Sequence, residues 1–372
     1  MKTDPLTKAL HHRNSSLTLL DGSDSRFEWQ SHPDSVMPGV VPFVDKPQQE
    51  RSDYIFNAND SYWITNASEP LTGYSPLYGA TDTPRSLRTR MNELLLRATG
   101  PDSFAGTDGK FTLEEVQRAL FSNRSLAAEL LRDELVVACK AAGMVSISEQ
   151  KVDLMEACDV LSAYNGRLDL DSKGAVLFRE WITGYSYKDT KGGKSLYEIP
   201  FDVSDPMNTP RGLGDKALAI EKLGRAVVIL KSAGLGLDAT LGDAQFAYRG
   251  DEKIALHGGC CHEGIANVIG IRGGLDAPAF KVDAKPIGDS AGLTDKGYPV
   301  SGGTSFLLGL TYTDKGPEAQ AFLAYSQSGD PSSVYFTDQT KLFSEKKWRP
   351  VLFNIEDINK DVKSSMLLTG PK

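Results

Sequence analysis

Two short segments of the sequence gather side chains that could bind a metal ion. Asp169, Asp171 and Glu180 stand at positions one, three and twelve of a pattern typical of calcium-binding loops. Gly174 fits position six, but Lys173 brings a cation to position five, where calcium requires an oxygen ligand. The segment is therefore either a calcium-binding module or a polar turn before a helix.

The second segment, residues 257–263, contains two histidines, two cysteines and a glutamate. Cys260 and Cys261 are adjacent, so they cannot easily both reach one zinc ion, and the usual spacing of zinc-binding cysteines is absent. The two glycines before Cys260 are more typical of the start of a strand. We therefore expect neither a metal nor a cofactor.

The other two cysteines each lie in a predicted helix. Cys139 and Cys158 could form a disulfide that joins two antiparallel helices, or they could remain two buried thiols. A disulfide requires an oxidising compartment.

Composition excludes several classes of protein. The formal net charge of the 372 residues is −8 and no dense cluster of lysine and arginine is present, which argues against a nucleic-acid partner. No apolar run approaches the roughly 20 residues of a membrane span, so we expect no membrane partner. We expect no P-loop, dinucleotide-binding fingerprint or G-x-S-x-G nucleophile elbow.

The hydrophobic pattern predicts helices in the middle of the chain and strands near its end. Thr112 and Glu115 have the spacing of a capping box, which marks the beginning of a helix. The predicted helices are residues 86–99, two within 112–142 with a break near 122–123, then 151–164, 177–186, 215–232 and 338–347. The predicted strands are a pair within 53–65, then 245–248, 265–271, 305–312 and 321–326.

These elements indicate an α+β fold in four segments. They are an extended segment (1–52), a first strand pair and helix (53–100), a mostly helical insertion (101–234), and C-terminal strands with a helix (235–372). We expect the strand near Tyr54 to join the last strands in one sheet. Composition and spacing alone identify no reaction.

Several stretches, in order along most of the chain, resemble the penicillin acylase family of N-terminal-nucleophile amide hydrolases. Asn57-Ala58-Asn59-Asp60 and Tyr325-Ser326-Gln327-Ser328 are the most specific of them when taken together. The stretches are residues 20–25 with Trp29, 38–42, 53–63, 70–73, 165–167, 172–175, 205–212, 325–328, 338–340 and 343–348. The resemblance is greatest to acyl-homoserine-lactone acylases and aculeacin A acylases.

The resemblance implies a fold and a mechanism. The family folds as an αββα sandwich, and its precursor cleaves itself into an α chain and a β chain. The N-terminal Ser of the β chain attacks the amide carbonyl, and its own α-amino group serves as the base. The substrate class implied is N-acyl amides, such as acyl-homoserine lactones, lipopeptides or β-lactam side chains.

Two site residues follow from the same resemblance. Asn59 matches the asparagine whose side-chain N–H stabilises the oxyanion, while Asn57 braces the turn. The family also has an arginine on the following helix, which we place at Arg88, with Arg85 as the alternative. The predicted catalytic residues are thus Asn59 and Arg88; both could instead be solvated surface residues.

This sequence departs from the family by lacking the nucleophilic Ser. It resembles the C-terminal portion of a β chain, so we expect partners in the upstream α chain and the N-terminal part of the β chain, and no hydrolysis by this chain alone. We expect a periplasmic or secreted location, as in the family. The alternative hypothesis is a non-catalytic remnant or binding protein on the same scaffold.

Overall fold

The computed structural model describes residues 22–75, 78–271 and 282–370. Most of the first resembling stretch lies within these ranges, but residues 20–21 and the start of the predicted extended segment lie outside them. The helices are α1 Leu87–Arg97, α2 Leu113–Leu120, α3 Leu126–Ala142, α4 Met155–Ala163, α5 Ala175–Thr183, α6 Tyr187–Gly192, α7 Lys216–Ser232, α8 Asp338–Ser344 and α9 Ile355–Asp361. The strands are β1 Met144–Ile147, β2 Gln150–Asp153, β3 Tyr197–Ile199, β4 Arg211–Leu213, β5 Gln245–Arg249, β6 Glu252–Ala255, β7 Ile269–Gly270, β8 Tyr298–Pro299, β9 Gly302–Gly303, β10 Phe306–Thr313, β11 Gly316–Leu323 and β12 Pro350–Val351.

The helices α3, α4, α5 and α7 surround the largest hydrophobic core. A disulfide joins Cys139 of α3 to Cys158 of α4, with a Cα–Cα distance of 5.7 Å, so the bridged alternative is confirmed. Trp181 of α5 is fully buried and donates from Nε1 to the Ala219 carbonyl of α7 at 3.0 Å. The predicted α+β class is confirmed in its coarse form, as a mixture of helices and small sheets.

Local signals predicted several helices well. The capping box at Thr112 and Glu115 is present and begins α2, and a break separates α2 from α3 as predicted. The predicted helix 151–164 is wrong in its first residues, because 150–153 pair as β2 with β1. The hairpin turns at Ser148 and Glu149, both with positive φ, and helix α4 follows.

The strand pair predicted within 53–65 is wrong. The segment is an irregular loop, in which Asn57 and Asn66 accept backbone N–H groups two residues later and so favour turns over a ladder. Two backbone hydrogen bonds, Phe56 N–H to Thr65 O and Leu71 N–H to Trp63 O, fold the loop back on itself. It therefore does not join the last strands in one sheet.

The described residues form several small sheets instead of one large sheet. Their strand orders are β1-β2, β3-β4, β6-β5-β8, β7-β9 and β10-β11-β12. Only residues 269–270 of the predicted strand 265–271 are in a strand. The C-terminal hairpin is the longest, since β10 and β11 pair antiparallel over all eight residues.

One face of the C-terminal sheet packs on helix α2. Gly309 lies so close that an added Cβ would meet the Leu113 side chain at 2.6 Å, and Gln117 donates to Gln320 Oε1 at 3.1 Å. The opposite face of β10 is apolar and exposed among the described residues. It consists of Phe306, Leu308, Leu310 and Tyr312, which are 57%, 52%, 43% and 79% exposed.

A buried histidine, His257, contacts helix α8 within a second, smaller hydrophobic core that contains Phe343. His257 Nε2 lies 2.7 Å from the Phe343 carbonyl oxygen of α8, and its ring stacks on the Phe343 ring at 4.7 Å. Nδ1 lies within 3.1 Å of the side-chain amides of Asn123 and Asn267. Burial, together with the charge of Lys346, lowers the pKa of His257 to about 4. The imidazole is therefore neutral in the folded protein at pH 7.

The depressed pKa of His257 predicts a pH dependence of stability. Its contribution is fully present above the unfolded pKa of about 6.5 and is lost as pH falls through the folded value of about 4. We expect the free energy of unfolding to fall by at most about 1.4 kcal/mol per pH unit from this residue in that range. Urea unfolding measured from pH 4 to 7 tests this.

His257→Gln should flatten the dependence, whereas His262→Gln, at a less buried position, should keep it. Because His257→Gln could fail to fold, NMR titration of the wild-type ring provides a second measurement. A ring of His257 that protonates near pH 6.5 would contradict the prediction.

Candidate active site

The predicted oxyanion donor lies at the tip of the loop before α1. Asn59 adopts a left-handed conformation with φ of 62°, which asparagine tolerates better than most residues. The Asn57 Oδ1 accepts the Asn59 N–H at 2.8 Å, so Asn57 braces the turn. Ala58 is buried, and the neighbouring Asn59 side chain points to the exposed side. The loop therefore presents a side-chain amide outward.

Arg88, in the first turn of α1, contacts this amide. Its Nη2 donates to Asn59 Oδ1 at 2.9 Å. Because an arginine can only donate, the oxygen side of the amide faces Arg88 and the Nδ2 side is directed elsewhere. The arrangement can donate Nδ2–H to an oxyanion.

Arg85, the alternative arginine, is buried and contacts other groups. Its Nη1 donates to Ser61 Oγ at 3.0 Å, and its guanidinium lies over the Trp63 ring, 4.9 Å from the centroid. Burial lowers the pKa of Arg85, although the charges of Asp60 and Asp82 oppose this. Geometry therefore pairs Asn59 with Arg88.

Asp60 holds the loop against the N-terminus of α1. Its carboxylate accepts the Ser86 N–H at 2.8 Å and the Thr89 hydroxyl, and Lys191 Nζ lies 3.2 Å away. Burial raises the pKa of Asp60, but the hydrogen bonds and the charge of Lys191 outweigh it and lower the pKa to about 2. Asp60 and Lys191 are 131 residues apart in the chain, so short-range patterns in the sequence give no sign of their contact.

A second loop, residues 257–264, contacts the start of α1 next to Arg88. Gly264 has a φ of 68°, and an added Cβ would meet Leu87 Cβ at 2.4 Å, so only glycine permits this approach. The charge of Arg88 acts on the Cys261 thiol. The His262 ring lies 5.9 Å from that of Tyr187. The sequence of this loop indicates only metal-type ligands or the start of a strand, and no contact with α1.

Among the described residues, the structure assembles no metal site at either candidate segment, 169–180 or 257–263. Asp169 is bound by Lys346 and by Asn123, whose Nδ2 lies 2.7 Å away, while Glu180 accepts hydrogen bonds from Tyr298 and Ser290. Across residues 22–75, 78–271 and 282–370, no group of three or more His, Cys, Asp or Glu side chains could hold a metal ion. The calcium-module hypothesis is therefore wrong for these residues.

Ser290 deserves comparison with a nucleophilic serine. Residues 288–292 read Gly-Asp-Ser-Ala-Gly, so the expectation that the G-x-S-x-G pattern of a nucleophile elbow is absent is wrong. An elbow joins a strand to a helix, whereas Ser290 lies in a turn and donates to Glu180 Oε1 at 3.0 Å. Ser290 is thus a partner of a buried carboxylate.

Comparison with known proteins identifies the class of this chain. The Penicillin amidase family model matches residues 5–360. The chain belongs to the penicillin amidase family.

The chain is most informatively compared with curated acylases. It is 33% identical over 355 residues to the aculeacin-A acylase of Actinoplanes utahensis, covering 94% of this chain and 41% of that protein. It is 30% identical over 369 residues to the acyl-homoserine lactone acylase PvdQ of Pseudomonas fluorescens Pf0-1, covering 97% and 42%. The chain thus spans about two fifths of the length of these relatives.

Among solved structures, a thermostable penicillin G acylase from Alcaligenes faecalis matches 85% of this chain and 57% of its own, with 14% identity and a TM-score of 0.39. Within the described residues, no helix is both long and apolar enough to cross a bilayer.

The contacts of Asp60 predict the effect of removing its charge. Asp60→Asn keeps the size of the side chain but weakens its bonds to Ser86, Thr89 and Lys191, and should cost about 2 kcal/mol at pH 7. Asp82→Asn, at a nearby exposed position, should cost little. Urea unfolding measures both.

The sign of the pH dependence gives a further check. The contribution of Asp60 is present above its unfolded pKa of 3.8 and is lost as pH falls through about 2, so wild type and Asp60→Asn should converge there. If Asp60→Asn and Asp82→Asn lowered the free energy of unfolding equally at pH 7, the role of Asp60 would be contradicted.

Proposed function

We propose that this chain is part of a penicillin-amidase-type acylase that hydrolyses N-acyl amides, with Asn59 as the oxyanion donor. The observation that carries the proposal is the 2.9 Å hydrogen bond from Arg88 to Oδ1 of an outward-facing asparagine. Family membership supports the reaction class.

The proposed reaction is acyl transfer to an N-terminal serine in the remainder of the acylase. Attack of the serine hydroxyl on the amide carbonyl generates a tetrahedral oxyanion, and the serine α-amino group accepts the proton. Asn59 donates Nδ2–H to that oxygen, a contribution of about 3 kcal/mol to the transition state. Water then releases the acyl group.

Arg88 acts in this proposal as the positioning residue for Asn59. An amide side chain can rotate by 180° and exchange its oxygen and nitrogen, which would turn a donor into an acceptor. The guanidinium tolerates only the oxygen, so it selects the orientation that donates. Its charge also polarises the amide.

The substrates of the relatives suggest the class of acyl group. Their names indicate acylases of aculeacin A and of acyl-homoserine lactones. We propose N-acyl amides of this class as substrates. The disulfide between Cys139 and Cys158 fits the proposed periplasmic or secreted location.

We also propose that the remainder of the acylase covers the exposed apolar face of β10. Four large side chains alternate on this face while the other face packs on α2. In an αββα sandwich, each sheet packs a helix layer on one face and the other sheet on its second, apolar face. A second sheet carrying the nucleophile would complete it.

Kinetics of Asn59 variants test the catalytic proposal. In the acylase reconstituted with its nucleophile-bearing part, Asn59→Asp keeps the shape but loses the donor, and should lower kcat by about 10²–10³ with little change in KM. Asn208→Ala, at an exposed position with a local hydrogen bond to Asp205, is the control. Release of acyl chain from an N-acyl-homoserine lactone is measured.

Arg88→Met should lower kcat by about tenfold or more, because Asn59 loses its orientation. Arg85→Met should instead reduce stability, since Arg85 is buried. An Asn59→Asp enzyme with unchanged kcat would refute the role of Asn59.

Variants of the β10 face test the proposed assembly. Leu308→Lys and Leu310→Lys should prevent association with the remainder of the acylase, because each would bury an unpaired charge. Val137→Lys, at a position 70% exposed on α3, should have no effect. Co-purification measures association, and unchanged association of both leucine variants would exclude this face as the interface.

A further inference from the structure

Two free cysteines lie side by side next to the candidate site. Cys260 and Cys261 are consecutive, both are half-buried, and their sulfur atoms are 3.1 Å apart. Neither the family comparison nor the proposed oxyanion chemistry uses them. The distance allows either thiol to reach a group bound to the other.

Hydrogen bonds hold the turn that carries the two cysteines. The Cys260 N–H donates to Glu263 Oε2 at 2.9 Å, and the Gly264 N–H donates to the Cys260 carbonyl at 3.2 Å. Glu263 in turn forms a buried ion pair with Arg179 at 2.5 Å. The turn that carries the two cysteines is therefore anchored to a buried ion pair.

The two thiols differ in their electrostatic surroundings. The hydrogen bond from the Cys260 thiol and the charge of Arg88 lower the pKa of Cys261 to about 6, against opposing effects of burial and Glu263. The hydrogen bond with Cys261, burial and the charge of Glu263 raise the pKa of Cys260. Of the two thiols, Cys261 therefore ionises more readily. A thiolate is the form that attacks disulfides.

We propose that Cys260 and Cys261 form a reversible dithiol–disulfide site that reacts with low-molecular-weight disulfides. The proposal is independent of the acylase function. The site lies beside Arg88, the residue that holds Asn59.

The reaction occurs in two exchanges. The Cys261 thiolate attacks one sulfur of a small disulfide RS–SR, forming a Cys261–SR bond and releasing RS⁻. The Cys260 sulfur then displaces the second RS⁻ from Cys261 and gives up its proton to it. The protein thiolate–thiol pair is oxidised to a disulfide, and one RS–SR is reduced to one RS⁻, which takes a proton from water, and one RSH.

Local geometry makes the product easy to reduce. Consecutive Cα atoms are about 3.8 Å apart across a trans peptide, shorter than the roughly 4.4–6.8 Å of most disulfides. A disulfide between neighbours is therefore strained and more easily reduced. The Cys139–Cys158 disulfide, with a Cα–Cα distance of 5.7 Å, is the internal comparison.

Titration with oxidised glutathione tests the proposal. The protein, gently reduced so that the Cys139–Cys158 bridge remains, should lose two hydrogens at Cys260 and Cys261 and retain no glutathione, as seen by mass spectrometry of the digested chain. A small monothiol should restore both thiols before the Cys139–Cys158 bridge opens. Wild-type protein that retains one glutathione, or that does not react, would overturn the proposal.

Matched serine variants separate the roles of the two sulfurs. Cys260→Ser should stop at the mixed disulfide on Cys261. Cys261→Ser should form an adduct at a rate about ten or more times lower. Equal rates for the two variants would overturn the assigned order.

If either variant fails to fold, a trivalent arsenical that binds dithiols supplies a second measurement on the wild type. One arsenical per chain, with loss of both free thiols, is expected. No binding by folded protein would refute the paired site.

Discussion

The buried ion pair between Arg179 and Glu263 supports much of the structure around the site. Both side chains are only 2% exposed, and Arg179 also donates to Gln245 Oε1 at 2.6 Å and to the Gly258 carbonyl at 3.2 Å. Burial raises the pKa of Glu263, but Arg179 more than compensates and the pKa is lowered. Two desolvated charges are tolerated because each has further hydrogen-bond partners; loss of either would leave the other uncompensated.

This ion pair connects elements that are far apart in sequence. Arg179 belongs to α5, and Glu263 belongs to the loop whose Gly264 lies against the start of α1. The carbonyl of Glu263 also accepts the Ser125 hydroxyl at the start of α3. Arg88 projects from the first turn of α1. The Arg179–Glu263 ion pair is therefore connected to the start of α1, where Arg88 contacts Asn59, through the contact of Gly264 with Leu87.

Short-range signals in the sequence predicted most of the helices of the described residues but missed α6, α9 and the loop before α1. The capping box at Thr112 marks α2, and Asp215, whose carboxylate accepts the Leu218 N–H at 3.0 Å, marks α7. Aromatic and β-branched residues in 53–65 suggested strands, but Trp63 and Ile64 are instead buried with Met207 in a separate small core. Side-chain burial in that core, rather than strand pairing, accounts for their apolar character.

The sequence by itself determined the family, the α+β class, most helix boundaries and the choice of Asn59 and Arg88 as candidate residues. The class and the helix boundaries depend on capping residues and helical periodicity at short spacing, whereas the family and the two candidate residues follow from the resemblance of short stretches to known acylases. The tertiary structure alone paired Arg88 rather than Arg85 with Asn59, joined Cys139 to Cys158, and brought Lys191 to Asp60 and Cys261 to Arg88. These pairs are from about twenty to more than a hundred residues apart in the chain, so tertiary packing decides them.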